Sequence, residues 1–196
     1  MEDNAERLFA LIYVCAFIGF RRGEACGLKW SSADLKAGTI TVDWQRTTVG
    51  HEVIEGRPKT DESLATVDMD DATVAVLKAW KKEQLEERMA WGQLWQDTGL
   101  VFTREDGLGW HPDYVTKKFA RLVRKFGLPH TTLHSTWHTA ASLQIAGGVD
   151  IAVVSKRMRH SSIGITSDTY GHLLALAGKK AAEAASAVVV RRRPTA

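Results

Sequence analysis

Between residues 134 and 172 the chain gathers four histidines, His134, His138, His160 and His172, and one tyrosine, Tyr170, against only two acids, Asp150 and Asp168. Imidazoles donate hydrogen bonds and a phenol can act as a nucleophile, so a stretch rich in both and poor in carboxylates is a composition for handling phosphate. The spacing points to one common site. His134 and His138 stand four apart, which places them on one face of a helix, and Trp137, three after His134, shares that face. His160 and Tyr170 are ten apart across Ser161-Ser162-Ile163, so the tyrosine belongs to a following short helix. A phenol has a reference pKa of about 10 and is a weak nucleophile near neutral pH. Chemistry at Tyr170 therefore depends on cations and donors around the group it attacks. Zinc is the rival use of the histidines. His134 and His138 imitate half of a metal site, but the run His134-Ser135-Thr136-Trp137-His138 lacks the glutamate of a His-Glu-x-x-His motif and cations lie nearby, so no metal is expected.

These side chains need elements to hold them. Leu8, Leu11, Ile12, Cys15 and Ile18 repeat at helical spacing and predict a largely buried helix over residues 5–19, ended by Gly19. Arg21 follows at a helix junction, where a guanidinium can present its fork to two phosphate oxygens at once. Ile40, Val42 and Trp44 alternate with polar residues, residues 53–55 form a second short strand, and Ala65, Val67 and Met69 alternate in a third. The fold class is thus mainly α with a small three-stranded antiparallel sheet. Asp70 or Asp71 caps a helix running to about Met89, with Val74, Leu77 and Leu85 as candidate core and Glu83, Glu86 and Glu87 facing water. Residues 100–102 form a short buried segment. His111-Pro112 opens the next helix, in which Val115, Phe119, Leu122, Val123 and Phe126 line one face. Lys117, Lys118, Arg121, Arg124 and Lys125 spread around the rest until Gly127 stops it. Such a helix lays a basic surface along a nucleic-acid backbone with salt-dependent, sequence-tolerant affinity.

Charge follows the same division. Residues 112–160 hold eight Lys/Arg and two acids (8 − 2 = +6), whereas residues 61–97 hold four and nine (4 − 9 = −5), within a net charge of +3. One side is built for a polyanion. A chain of 196 residues that is 44% apolar and 25% charged has ordinary globular composition and room for one sizeable core. Its longest apolar run, residues 8–20, is 13 residues, too short to span a bilayer, and Glu2, Asp3 and Glu6 stand where a secretory signal needs positive charge. A soluble, intracellular protein is expected, with Cys15 and Cys26 as reduced core residues.

The boxes also resemble a known family. The run His134-Ser-Thr-Trp137-His138-Thr-Ala-Ala-Ser142, then Arg159-His160-Ser-Ser-Ile163, then Tyr170-Gly-His172, is similar to the C-terminal boxes of the tyrosine recombinases of the phage integrase family. Gly19-Phe-Arg21-Arg22-Gly-Glu24 with Leu28-Lys-Trp30 resembles the first-arginine box, and Pro58-Lys59-Thr60 with Ser63 resembles the turn that carries a mobile catalytic lysine. The resemblance implies that Tyr170 attacks a DNA phosphodiester to give a 3′-phosphotyrosyl bond, with Arg21, His134 and His160 donating to the phosphate and Lys59 protonating the leaving 5′ oxygen. Glu24 becomes a buttress for Arg21, and His138 a structural histidine that orients its neighbours, with His172 beside them. No cofactor is implied; the partner is double-stranded DNA, with self-association on it, no small-molecule substrate and no membrane, in the cytoplasm of a bacterial host.

Two departures qualify that resemblance. The family's second catalytic arginine falls on Trp137, whose neutral indole N–H replaces a charged fork, so impaired cleavage is implied. Arg159, where the family usually has glycine, lies next to His160 and is the candidate to compensate. The first box opens at Gly19, which implies a catalytic domain over residues 1–178 without the family's N-terminal core-binding domain. Residues 179–196 form an Ala/Val-rich segment and basic tail that either docks on a neighbouring protomer or frays. Two alternatives stand beside recombination: a non-cleaving domain of this fold that binds DNA or pairs with active protomers, and a basic helical adaptor for another acidic partner.

Overall fold

Leu8, Leu11, Cys15 and Ile18 are buried, as their spacing predicts, and Ile12 is half-buried, in a helical segment whose pitch changes along its length. A computed structural model describes residues 6–58 and 64–174 of the chain. The first segment opens as a 3-10 turn at Glu6–Leu8, becomes α1 at Phe9–Tyr13 and widens into a π turn at Val14–Ile18. Gly19 ends it in the left-handed region at φ 79°, where a Cβ would stand 2.6 Å from Met158 Sδ. Backbone angle and close approach both call for glycine there. Helix α2, Arg22–Gly27, packs so tightly on the following sheet that a Cβ at Gly27 would meet Gln45 Cα at 2.5 Å.

The strands are β1 (Ala33–Asp34), β2 (Thr39–Val42), β3 (Gln45–Val49), β4 (Glu52–Gly56) and β5 (Ala65–Asp68). They form two sheets. The three-stranded antiparallel sheet has the order β1-β2-β5, and β3 and β4 make a separate hairpin. The expected grouping of residues 39–44, 53–55 and 65–69 in one sheet is corrected accordingly: the middle strand pairs with Gln45–Val49 instead. That strand lacks apolar alternation because its buried residue is Arg46, held by Glu55 of β4 (Nε to Oε1 2.9 Å). Trp44 lies beyond β2, with the Lys29 ammonium 3.9 Å over its ring.

Helix α3, Asp71–Trp91, is capped by Asp70, whose carboxylate accepts from Thr73 N at 2.6 Å. Its buried stripe is Thr73, Leu77, Trp80 and Gln84, and Leu85, expected in the core, is 55% exposed. Gln84 takes the inward place because its amide donates to Leu100 O, Val101 O and Thr103 Oγ1 and accepts from Trp30 Nε1. Leu100, Val101 and Phe102 are buried beside it. Helix α4, Pro112–Lys125, buries Val115, Phe119, Leu122 and Val123; Phe126, expected on that face, follows the last helical turn and is 62% exposed.

Three helices complete the fold: α5 (Leu133–Ala146), α6 (Ile151–Arg157) after the Gly147-Gly148 turn, and α7 (Ile163–Leu174). The apolar interior has two parts. A larger core joins α1, the three-stranded sheet, α3, residues 101–102 and α4, and a smaller one holds Trp137, Ala140, Ala141, Ile145, Val154, Met158 and Tyr170. Cys15 and Cys26 are free and buried, and burial pushes the Cys26 thiol up to about 12. Among the described residues no helix is long and apolar enough to cross a membrane, and no group of three or more His, Cys, Asp or Glu could hold a metal ion.

Candidate active site

The seam between the two cores is where the chemistry-bearing residues meet. Gly19 turns the chain so that Arg21 caps α2 beside the end of α6, and the guanidinium donates to Arg159 O at 3.1 Å and Met158 O at 3.4 Å. Glu24, one turn into α2, accepts from the Arg21 backbone N at 2.7 Å and from its Nη1 at 3.0 Å. This carboxylate is only 4% exposed, and Arg159 meets it from the other side, Nη2 to Oε2 at 2.7 Å and Nε to Oε1 at 3.2 Å. A single buried anion therefore anchors two arginines. Glu24 thus holds the Arg21 guanidinium and also turns Arg159 inward.

Trp137 occupies the middle of the cluster. Its ring lies 5.0 Å from the Arg21 guanidinium, 5.6 Å from the His134 ring, 4.9 Å from His138 and 5.0 Å from His160. The indole is 7% exposed, and its Nε1 is buried without a hydrogen-bond partner. A cleft of about 350 Å³ opens beside it, lined among others by Arg21, Arg22, Gly23, Thr132, His134 and Trp137. His160 and Tyr170 do not line that cleft. Tyr170 is 3% exposed in the smaller core, its hydroxyl sharing a 2.7 Å hydrogen bond with His138 Nδ1.

Electrostatics follow the packing. Burial raises the Tyr170 pKa above that of an ordinary phenol. Burial, and then the neighbouring His134, lower His138; burial, and then Arg21, His138 and Arg159, lower His160. Both imidazoles are thus neutral near neutral pH, and His138 has a lone pair to offer.

The structure brings together Arg21, Glu24, His134, Trp137, His138, Arg159, His160 and Tyr170. Arg159 does not present its fork to the cleft: it is 3% exposed, and its guanidinium is taken up by Glu24, Gly19 O and Arg157 O. The expectation that it replaces the missing phosphate donor is corrected on that ground. Lys59 lies outside the described residues, as does the side chain of His172. The basic set sits on α4, with Lys117, Arg121, Arg124 and Lys125 exposed and Lys118 half-buried. Two contacts are not foreseen from sequence. One is His138 on the Tyr170 hydroxyl; the other is Thr166, whose Oγ1 lies 2.6 Å from His160 Nδ1. Neither partner is visible in spacing, because each joins residues on different helices or across a turn.

The sequence matches the Phage integrase family over residues 2–176. It is 28% identical over 183 residues to the "Tyrosine recombinase XerC-like" protein of Caldanaerobacter subterraneus subsp. tengcongensis, covering 87% of this chain and 47% of that protein. It is 28% identical over 173 residues to the ICEBs1 integrase of Bacillus subtilis, covering 85% and 45%. The fold is similar to that of the Tn1549 transposon integrase solved in complex with transposon right end DNA, with a TM-score of 0.73 at 21% identity over 84% of this chain and 54% of that one. The crystal structure of XerA recombinase gives 0.65 at 23% identity, covering 83% and 51%. The chain spans about half the length of the curated relatives it matches.

Proposed function

This chain belongs to the phage integrase family, and we propose that it cleaves and rejoins duplex DNA at a specific site, on which copies of it associate, with Tyr170 as the nucleophile. The observation that carries the reading is the 2.7 Å hydrogen bond between the Tyr170 hydroxyl and a neutral His138, set beside Arg21, His134 and His160. In the reaction the phenol gives its proton to His138 Nδ1 and its oxygen bonds to phosphorus. The bond to the 5′ oxygen breaks, that oxygen takes a proton from Lys59, and a 3′-phosphotyrosyl ester remains. Arg21 and His134 stabilise the charge building on the non-bridging oxygens. The ester conserves the energy of the broken linkage, so reversal rejoins the strands.

Trp137 weakens this chemistry. It substitutes a neutral donor for a charged fork and fills the space between Arg21 and His160. Loss of one preorganised donor typically costs roughly 100- to 1,000-fold in rate. The same packing favours a second reading, a domain that holds DNA or pairs with active protomers without cutting.

Trapping a covalent adduct on a nicked duplex carrying a candidate attachment site from the source genome tests both. Trp137→Arg should raise adduct formation by roughly 100-fold or more over the parent, and Tyr170→Phe in that background should abolish it. If DNA is bound yet no variant gives an adduct, cleavage is rejected and the non-cutting reading stands. An adduct that survives Tyr170→Phe rejects Tyr170 as nucleophile.

A further inference from the structure

Thr166, in the second turn of α7, is wholly buried, and its hydroxyl departs from the habit of its neighbours. Thr136, Thr139, Ser142 and Thr169 each donate to a backbone carbonyl three or four residues back. For Thr166 the carbonyl in that position is Ser162 O, which accepts instead from Ser155 Oγ at 3.3 Å. Among the described residues the Thr166 hydroxyl has one partner, His160 Nδ1, at 2.6 Å.

A fully buried hydroxyl proton left without an acceptor is costly, and His160 Nδ1 is the acceptor within reach. If Nδ1 accepts, the neutral ring must carry its proton on Nε2. Burial and the cations Arg21 and Arg159 keep that ring neutral near neutral pH, so the tautomer is a real choice. Nε2 is buried and without a hydrogen-bond partner, as is Nε1 of Trp137, whose ring packs edge-on at 5.0 Å from the imidazole.

We propose that Thr166 is a positioning residue that holds His160 in the Nε2–H form, leaving the ring proton on the nitrogen free to donate to a phosphate oxygen. The phosphate as acceptor rests on the function proposed above; the tautomer does not. The test is therefore made on the DNA-free full chain labelled with ¹⁵N-histidine, by long-range ¹⁵N–¹H correlation above the ordinary histidine pKa, with His160 assigned from a His160→Gln spectrum. The parent should show a protonated Nε2 and a bare Nδ1. Thr166→Val, which keeps the shape and removes the hydroxyl, should shift the tautomer ratio toward Nδ1–H by roughly 2- to 10-fold, the factor for one lost hydrogen bond. Thr166→Ser should match the parent. A proton on Nδ1 in the parent, or an unchanged ratio in a folded Thr166→Val, overturns the proposal; should Thr166→Val not fold, the parent spectrum decides. A failure to cleave DNA leaves this result standing, so the two readings fail separately.

Discussion

Arg159 is the one non-glycine residue with positive φ among the described residues, at 55°. The left-handed conformation costs a side chain about 1–2 kcal/mol, yet an arginine stands there. Its guanidinium accounts for this: it donates to Glu24, Gly19 O and Arg157 O from a site of 3% exposure, closing the end of α6 onto the start of α2. Removing one partner of a buried ion pair is worth about 3–5 kcal/mol, and Arg21 remaining on Glu24 sets the lower end. Arg159→Ala should therefore lower the unfolding free energy by about 3 kcal/mol. Arg159→Gly, which loses the same bonds but relaxes the backbone, should lose about 1 kcal/mol less. Urea unfolding of the two variants checks the ordering, and an alanine variant as stable as the glycine one would remove the backbone term. Arg159 and Arg21 thus share Glu24, with the Arg159 fork turned into the protein.

Helices α5, α6 and α7 meet through two imidazoles, His138 on Tyr170 and His160 on Thr166, and both are held below the ordinary histidine pKa of 6.5, chiefly by burial. A histidine whose folded pKa is depressed contributes stability that is complete above 6.5 and is lost as pH falls through the folded value, because the unfolded chain takes up protons the folded one resists. Thermal unfolding followed from above pH 7 down toward pH 5 should show a falling Tm, and the combined His138→Gln and His160→Gln variant should show a shallower fall; equal slopes would assign the acid sensitivity elsewhere. These contacts also mark how far sequence carries. The helices themselves are legible, since Leu8 to Ile18 and Val115 to Val123 repeat at helical spacing and Asp70 caps where a capping residue is expected. The site residues are legible as a set because their boxes are ordered along the chain. What is not legible is any place where a polar side chain does an apolar one's work. Gln84 displaces Leu85 from the buried stripe by satisfying two backbone carbonyls, and Arg46 hides β3 by pairing across to Glu55. Thr166 and His138 belong to the same class: their roles depend on a single hydrogen bond to another element, which leaves no period behind.

Across the whole chain the charges are separated, +6 over residues 112–160 and −5 over residues 61–97. The basic segment includes α4, α5 and α6, while the acidic one includes α3, whose Glu83 and Glu86 are exposed. A polyanion would therefore approach over α4 and α5, and α3 would turn away from it. Arg22 ties α4 to the site, donating from α2 to Asp113 Oδ1 at 2.9 Å and Thr116 Oγ1 at 3.0 Å. Lys117, Arg121 and Arg124 are exposed on that helix. Each phosphate contact adds about 0.9 to the steepness with which log affinity for duplex DNA falls against log salt. Replacing all three by alanine should flatten that slope by about 3 if each meets a phosphate, whereas Glu83→Gln with Glu86→Gln should leave it unchanged. Fluorescence anisotropy over a salt series measures both. A slope untouched by the α4 changes would move DNA off this helix and favour the adaptor reading. A slope altered as strongly by the α3 changes would mean that net charge, rather than a basic face, governs binding.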